Sequence, residues 1–239
     1  MISEGFYVKL DVNNVTTSYL RNISFALENE NAVILGSNGA GKTTLSKVIV
    51  GLEENSNVRY NGEKVSALGA ARRSKALNFI PSKLEVFDEY IDVEEFLQLS
   101  LLNGSDQSVM DAVLKRLGIE HLKNNSCKGI SSGESQMLLF ASGLLHNAEL
   151  SIFDEPTANL DSDKKIKVYE TLKNHPGWKM VITHDLNLAY QLNYRILFLQ
   201  HGELVYDGSC EQFFEAANLE RLFGNSIKRV EEYFMVNYR

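Results

Sequence analysis

The chain has 239 residues, 44% of them hydrophobic and 23% charged, which fits one folded domain with a sizeable core and excludes intrinsic disorder. Its net charge of −7 argues against a nucleic-acid binder, whose surface would show a basic excess. Cys127 and Cys210 form neither a CxxC pair nor a zinc-ligand spacing and read as reduced cytosolic thiols.

In chain order, the first residues lack the positive region and apolar core of a signal peptide. Residues 6–12 and 23–27 alternate apolar and polar side chains and predict strands. Ala32 to Leu35 is a short apolar run, as expected of a strand buried on both faces. A glycine-rich loop follows, then a helix from Lys42 to about Val50, and Asn61-Gly62 signals a tight turn. From about Asp92 to Asn147 the pattern is helical. Phe96, Leu97, Leu101 and Leu102 recur at helical spacing, as do Val109, Val113, Leu114 and Leu117, with Gly118 placed to end a helix. Strands resume at 150–153, 180–183 and 196–199, separated by helices at about 162–173 and 186–192, and Gly202-Glu203 reads as a hairpin turn. The predicted class is therefore α/β, with strand–helix alternation around a parallel sheet and a helical insertion. No apolar run reaches the ~18–20 residues that span a bilayer. Membrane work would need other chains.

Gly36-Ser37-Asn38-Gly39-Ala40-Gly41-Lys42-Thr43-Thr44 fits G-x-x-x-x-G-K-[ST]. Glycines let main-chain N–H groups turn inward around phosphates, and the helix that opens at Lys42 aims its positive end at the same anion. Lys42 is placed to reach the β- and γ-phosphates, and the Thr43 hydroxyl to hold Mg²⁺. The motif follows a buried strand and opens a helix, the context a P-loop requires. Further on, Leu150-Ser151-Ile152-Phe153 is a mostly apolar strand ending in Asp154-Glu155. Acids at the C-terminal end of a parallel strand lie where α/β folds bind ligands. Asp154 is a candidate Mg²⁺ ligand and Glu155 a candidate general base for an attacking water.

Asp154-Glu155-Pro156-Thr157, then Asn159-Leu160-Asp161, then Thr183-His184-Asp185 after an apolar strand, resemble the ABC ATPase family, with Ile130-Ser131-Ser132-Gly133-Glu134 in the place of its signature segment. The resemblance covers nearly the whole chain. It implies a RecA-like P-loop NTPase core of parallel sheet, an N-terminal antiparallel β subdomain and an inserted α-helical subdomain. Within one ABC ATPase domain over residues 1–239, residues 1–91 and 148–239 would form the nucleotide-binding core and 92–147 the helical signature subdomain. The resemblance also implies head-to-tail pairing of two cassettes, as homodimer or heterodimer. Ser131, Ser132, Gly133 and Glu134 of one would meet the nucleotide on the P-loop of the other, Asp161 would couple the sites, and His184 would contact the γ-phosphate. ATP and Mg²⁺ are the implied cofactors, and integral membrane transporter subunits the implied partners. No nucleic acid is implied. The chain would sit in the cytoplasm on the inner face of the membrane.

The sequence departs from the family pattern at three places. Ser82 follows Phe79-Ile80-Pro81 where a glutamine is usual; its hydroxyl is a candidate Mg²⁺ contact but reaches less far. Ser132 replaces the first glycine of the signature. The usual register of the adenine-stacking aromatic falls near Asn13 and Asn14, leaving Tyr19 as the nearest aromatic. Thr183 to Asn187, Asn218 to Gly224, a candidate strand at 232–236 and the signature ending Gly133-Glu134-Ser135-Gln136 are similar to ATPases of importers for vitamin B12, haem and iron-siderophores. The alternatives are a non-transport ATPase of the iron–sulfur assembly type or a regulatory cassette in a heterodimer. Phe87, Tyr90, Ile91, Val93 and Phe96 would serve either as a groove for a membrane subunit or as the helical subdomain's own core.

Overall fold

A computed structural model describes residues 7–55, 57–85 and 90–238. β1 (Lys9–Val15) and β2 (Ile23–Glu28) form an antiparallel pair. Leu10, Val12 and Val15 of β1 point inward and are buried. The strand expected over 6–12 is thus displaced to 9–15. Its register shifts between Val12 and Val15, with Asn14 at φ 51°, and the bulge keeps Val15 facing the core beside Ile23. Phe6 lies outside the described residues.

β3 (Ala32–Leu35) is buried along its whole length and runs into the glycine loop and α1 (Lys42–Ile49). β4 (Val58–Tyr60) and β5 (Glu63–Lys64) are joined by Asn61 and Gly62, at φ 48° and 84°, the paired positive angles a type I′ turn requires. α2 (Ala70–Ala76) precedes β6 (Leu77–Ile80). The helical stretch resolves into α3 (Val93–Gln98), α4 (Gln107–Leu117) and α5 (Ser132–His146). Asp92 caps α3 in a capping box with Glu95, Asp106 caps α4, and Gly118 ends α4 at φ 72°. Leu101 and Leu102, expected on the first of these helices, lie in the loop beyond it. The helix stops at Gln98, and the turn at Asn103-Gly104 (φ 51° and 91°) redirects the chain. Val93 is fully buried, Ile91 and Phe96 pack partly against the same core, and Tyr90 is 91% exposed. The expected apolar group is therefore divided between core and surface. Phe87 falls outside the described residues.

β7 (Leu150–Asp154), α6 (Ser162–Asn174), β8 (Trp178–Thr183), α7 (Leu186–Leu192), β9 (Arg195–Gln200) and β10 (Glu203–Gly208) complete the main sheet. α8 (Cys210–Phe213), α9 (Ala216–Phe223) and a hairpin of β11 (Ile227–Val230) and β12 (Tyr233–Val236) follow. The six-stranded sheet has the order β10-β9-β3-β8-β7-β6 and is parallel except for β10. A four-stranded sheet, β2-β1-β4-β5, covers one side. Alternation along β3 divides the interior. Ala32 and Ile34 join a core with β1, β2 and α1, while Val33 and Leu35 join a core with α3 to α9. Among the described residues no helix is long and apolar enough to cross a membrane.

α5 lies directly on the sheet. A Cβ added to Gly143 would stand 2.6 Å from Ile80 Cγ1 and 2.7 Å from Phe153 Cε1, both buried side chains. Gly143→Ala should therefore destabilise the protein: overpacking costs ~1–3 kcal/mol and outweighs the ~1 kcal/mol that alanine returns in helix propensity. A melting temperature lowered by several degrees in a thermal scan is expected, and an unchanged or raised one would contradict this packing.

Candidate nucleotide-binding site

Sheet register puts the functional residues at one edge. Leu35 of β3 pairs with Thr183 of β8, and Ile182 of β8 pairs with Asp154 of β7, so the three strands end almost level. The loop from Gly36, the acids Asp154 and Glu155, and His184 all leave from that edge, the crevice where open α/β sheets bind ligands. A cleft of about 390 Å³ is lined by Tyr19, residues 38–44, Ser82, Asp154 and Glu155.

The loop is shaped by close approach. Gly41 sits at φ 100° as the residue before α1, and a Cβ there would be 2.6 Å from Leu20 Cδ2. Lys42 is buried, and its Nζ donates to the carbonyls of Gly36 at 2.7 Å and Ser37 at 3.0 Å. Burial lowers its pKa, opposed by the charges of Glu155 and Asp154. Its ammonium is thus held over the cradle by weak main-chain acceptors, and phosphate oxygens are stronger ones.

Thr43 Oγ1 donates to Asp154 Oδ2 at 2.8 Å. Burial raises the pKa of Asp154; the Thr43 hydrogen bond pulls it down and the neighbouring Glu155 carboxylate pushes it up. A hydroxyl and a buried carboxylate in contact are hard oxygen donors, the set Mg²⁺ takes beside nucleotide phosphates. Among the described residues no group of three or more His, Cys, Asp or Glu gathers into a cage. A cation here would share its shell with the nucleotide and water.

Glu155 has φ 48°, an unusual value for a residue with a side chain. Its amide donates to the Ile182 carbonyl at 2.9 Å. His184 Nδ1 lies 2.8 Å from Glu155 Oε1 and Thr183 Oγ1 is 3.4 Å from Oε2. With the carboxylate ionised, Nδ1 is the donor, which leaves Nε2 free. The sequence expectation brought Glu155 and His184 to one crevice, and the structure joins them directly.

Ser131 caps α5. Its hydroxyl bonds Glu134 at 2.7 Å and accepts from the Glu134 amide at 3.3 Å, while Ser132 is the first helical residue. Ser131, Ser132 and Asp161 are exposed, and Asp161 caps α6 and pairs with Lys164 at 3.1 Å. These signature residues do not line the cleft of their own chain. Ser82 is exposed on its rim.

Tyr19 is 71% exposed and lines the cleft together with the loop. Thr17 Oγ1 accepts from the amides of Tyr19 and Leu20, each at 3.1 Å, and fixes the turn. Gly202, at φ 80°, gives its N–H to Ala40 O at 3.2 Å and accepts from Arg21 N at 2.8 Å; a Cβ there would overlap the Tyr19 carbonyl oxygen. Hairpin, phosphate loop and aromatic turn are locked together at one glycine. Sequence reasoning read Gly202 as a turn only. It named Gln136 only within the signature ending and gave it no role, although a polar side chain opening the apolar stretch of α5 was a further signal.

A family model described as ABC transporter matches residues 20–158. The zinc import ATP-binding protein ZnuC of Buchnera aphidicola is 32% identical over 222 residues, covering 90% of this chain and 88% of that protein. The molybdate/tungstate import ATP-binding protein WtpC of Methanocaldococcus jannaschii is 31% identical over 211 residues, covering 83% of this chain and 70% of that protein. A solved structure of an ATP-binding subunit of an ABC transporter superposes with a TM-score of 0.74 at 23% identity, covering 90% of this chain and 93% of the other.

Proposed function

This chain belongs to the ABC transporter family as its ATP-binding, ATP-hydrolysing subunit, and on that premise we propose how it turns ATP over and what it helps to move. The observation that carries the mechanism is the convergence of Lys42, the Thr43–Asp154 pair and the Glu155–His184 pair at one sheet edge. The triphosphate lies on the N–H groups of residues 36–44, and Lys42 leaves the Gly36 and Ser37 carbonyls for the β- and γ-phosphates. Thr43 and Asp154 would hold Mg²⁺, with Ser82 at the rim, and the bound ion would supply neutralisation of charge developing on the phosphates. Tyr19 stacks on the adenine. Glu155 takes the proton of the attacking water. His184 orients that carboxylate through Nδ1 and presents Nε2 to the γ-phosphate.

The half-site is completed by a second cassette. Its Ser131, Ser132, Gly133 and Glu134 offer a helix N-terminus to the same phosphate, and Asp161 borders the joint. The membrane subunits dock beside the cleft, on the groove lined by Pro81, Ser82, Leu84, Phe96 and Leu139. The chain then works at the inner face of the cell membrane.

The cargo is a metal species taken into the cell. Support comes from the two import relatives and from the segments around His184, Asn218 and the β11–β12 hairpin. Asn187 exchanges hydrogen bonds with the Phe234 main chain at 2.8 and 3.1 Å, so the hairpin is tied to the segment after His184. Deleting the gene in its host should lower uptake of one metal species, and wild type but not Glu155→Gln should restore it. Unchanged uptake of zinc, molybdate, ferric chelates and cobalamin alike would sink the import reading and leave a non-transport ATPase.

A further inference from the structure

Gln136 is a polar side chain only 3% exposed, on the first turns of α5. Its Nε2 donates to the main-chain carbonyl of Glu155 at 3.1 Å. Glu155 stands in the left-handed region, a conformation that persists where surroundings over-determine it. Its amide is tied to β8 through Ile182. Its carbonyl is tied to α5 through Gln136. The peptide planes on both sides of the candidate base are therefore held by different elements. One turn earlier on α5, Gly133 is buried, and a Cβ there would lie 3.0 Å from the Asn159 carbonyl oxygen. So α5 meets the 155–159 segment at two points, and Gln136 is the side chain that makes the directional one.

We propose that Gln136 is a positioning residue for Glu155: its amide fixes the peptide that follows the base and so aims the carboxylate into the cleft. This rests on the reading of Glu155 as general base. The chain's own signature helix then sets the geometry of the chain's own base. A buried glutamine that merely satisfied the interior would matter for stability and leave the chemical step alone.

The test is steady-state Mg-ATP hydrolysis by the full chain over a range of ATP concentrations, with thermal scans. Wild type, Gln136→Met, Gln136→Leu, Glu155→Gln and the Gln136→Met/Glu155→Gln double variant are compared. Methionine keeps the length and unbranched shape of glutamine and removes the donor; leucine is a second apolar replacement should methionine disturb the fold. We expect kcat to fall about 10- to 100-fold in both apolar variants, the scale of a small misplacement of a reacting group. KM for ATP should stay within about twofold, and the double variant should be no slower than Glu155→Gln alone. Unchanged kcat, a KM that rises in step, or the same fold-loss repeated in the Glu155→Gln background overturns the proposal. Hydrolysis by Glu155→Gln at the wild-type rate overturns the base reading itself, and that result is seen without any change at residue 136.

Discussion

Glu155→Gln will hydrolyse ATP some 10²–10⁴-fold more slowly than wild type while still binding it, since a general base contributes about that factor and the amide keeps size and shape. The proposed nucleotide contacts lie elsewhere: the loop N–H groups, Lys42, and the Thr43–Asp154 pair held at 2.8 Å. Glutamine can still accept from His184 Nδ1 through its amide oxygen, so the crevice keeps its form. If two cassettes pair as proposed, ATP should stay between them once hydrolysis is removed. The variant should then elute as a dimer when ATP is present and as a monomer without it. Hydrolysis and elution volume, measured on the same preparation, check both halves. Equal rates for variant and wild type would remove Glu155 from the chemistry. Loss of hydrolysis without an ATP-dependent dimer would mean that Ser82 and Ser132 have weakened this chain's pairing with itself, and that its partner is a different cassette.

The main elements of that site were legible in the sequence because its chemistry is local. A phosphate cradle needs a strand, a glycine-rich turn and a helix N-terminus in quick succession, and residues 32–44 print them in order. Asp154-Glu155 and Thr183-His184 are likewise strand-end pairs, each readable in its own window. What the sequence hid depends on register between distant segments. Nothing near residue 202 says that its N–H will meet Ala40 or that its bare Cα makes room for Tyr19. Nothing near Gln136 says that its amide will find the Glu155 carbonyl. Bulges and breaks were hidden for a related reason. The Asn14 bulge serves the inward facing of Val15, and α3 ends early because the chain must turn at Asn103-Gly104. Both are tertiary demands overriding a local periodicity.

The largest stability effect is expected at another such long-range meeting, far from the chemistry. Glu149 stands just before β7, its side chain 8% exposed. Its Oε2 accepts from the Tyr60 hydroxyl at 2.9 Å and its Oε1 from Arg72 at 2.8 Å, while the Arg72 guanidinium lies 5.7 Å from the centre of the Tyr60 ring. Three segments thus converge on one carboxylate: β4 from the antiparallel sheet, α2, and the entry to the strand that carries Asp154. Tyr60 is 1% exposed, and burial together with the hydrogen bond to Glu149 holds its phenol well above the ordinary range. Glu149→Ala leaves that hydroxyl with no acceptor inside the protein, at ~1–3 kcal/mol. It also frees Arg72, whose half-exposed head recovers water and so limits the loss below the ~3–5 kcal/mol of a fully buried broken pair. A total of about 2–4 kcal/mol follows, which in a chain of this length lowers the melting temperature by about 5–15 °C. Tyr60→Phe in the same background removes the group that was stranded, so the double variant should be more stable than the sum of the single losses. Strict additivity in that cycle would mean that hydroxyl and carboxylate do not interact, and that the two sheets are joined by apolar packing alone.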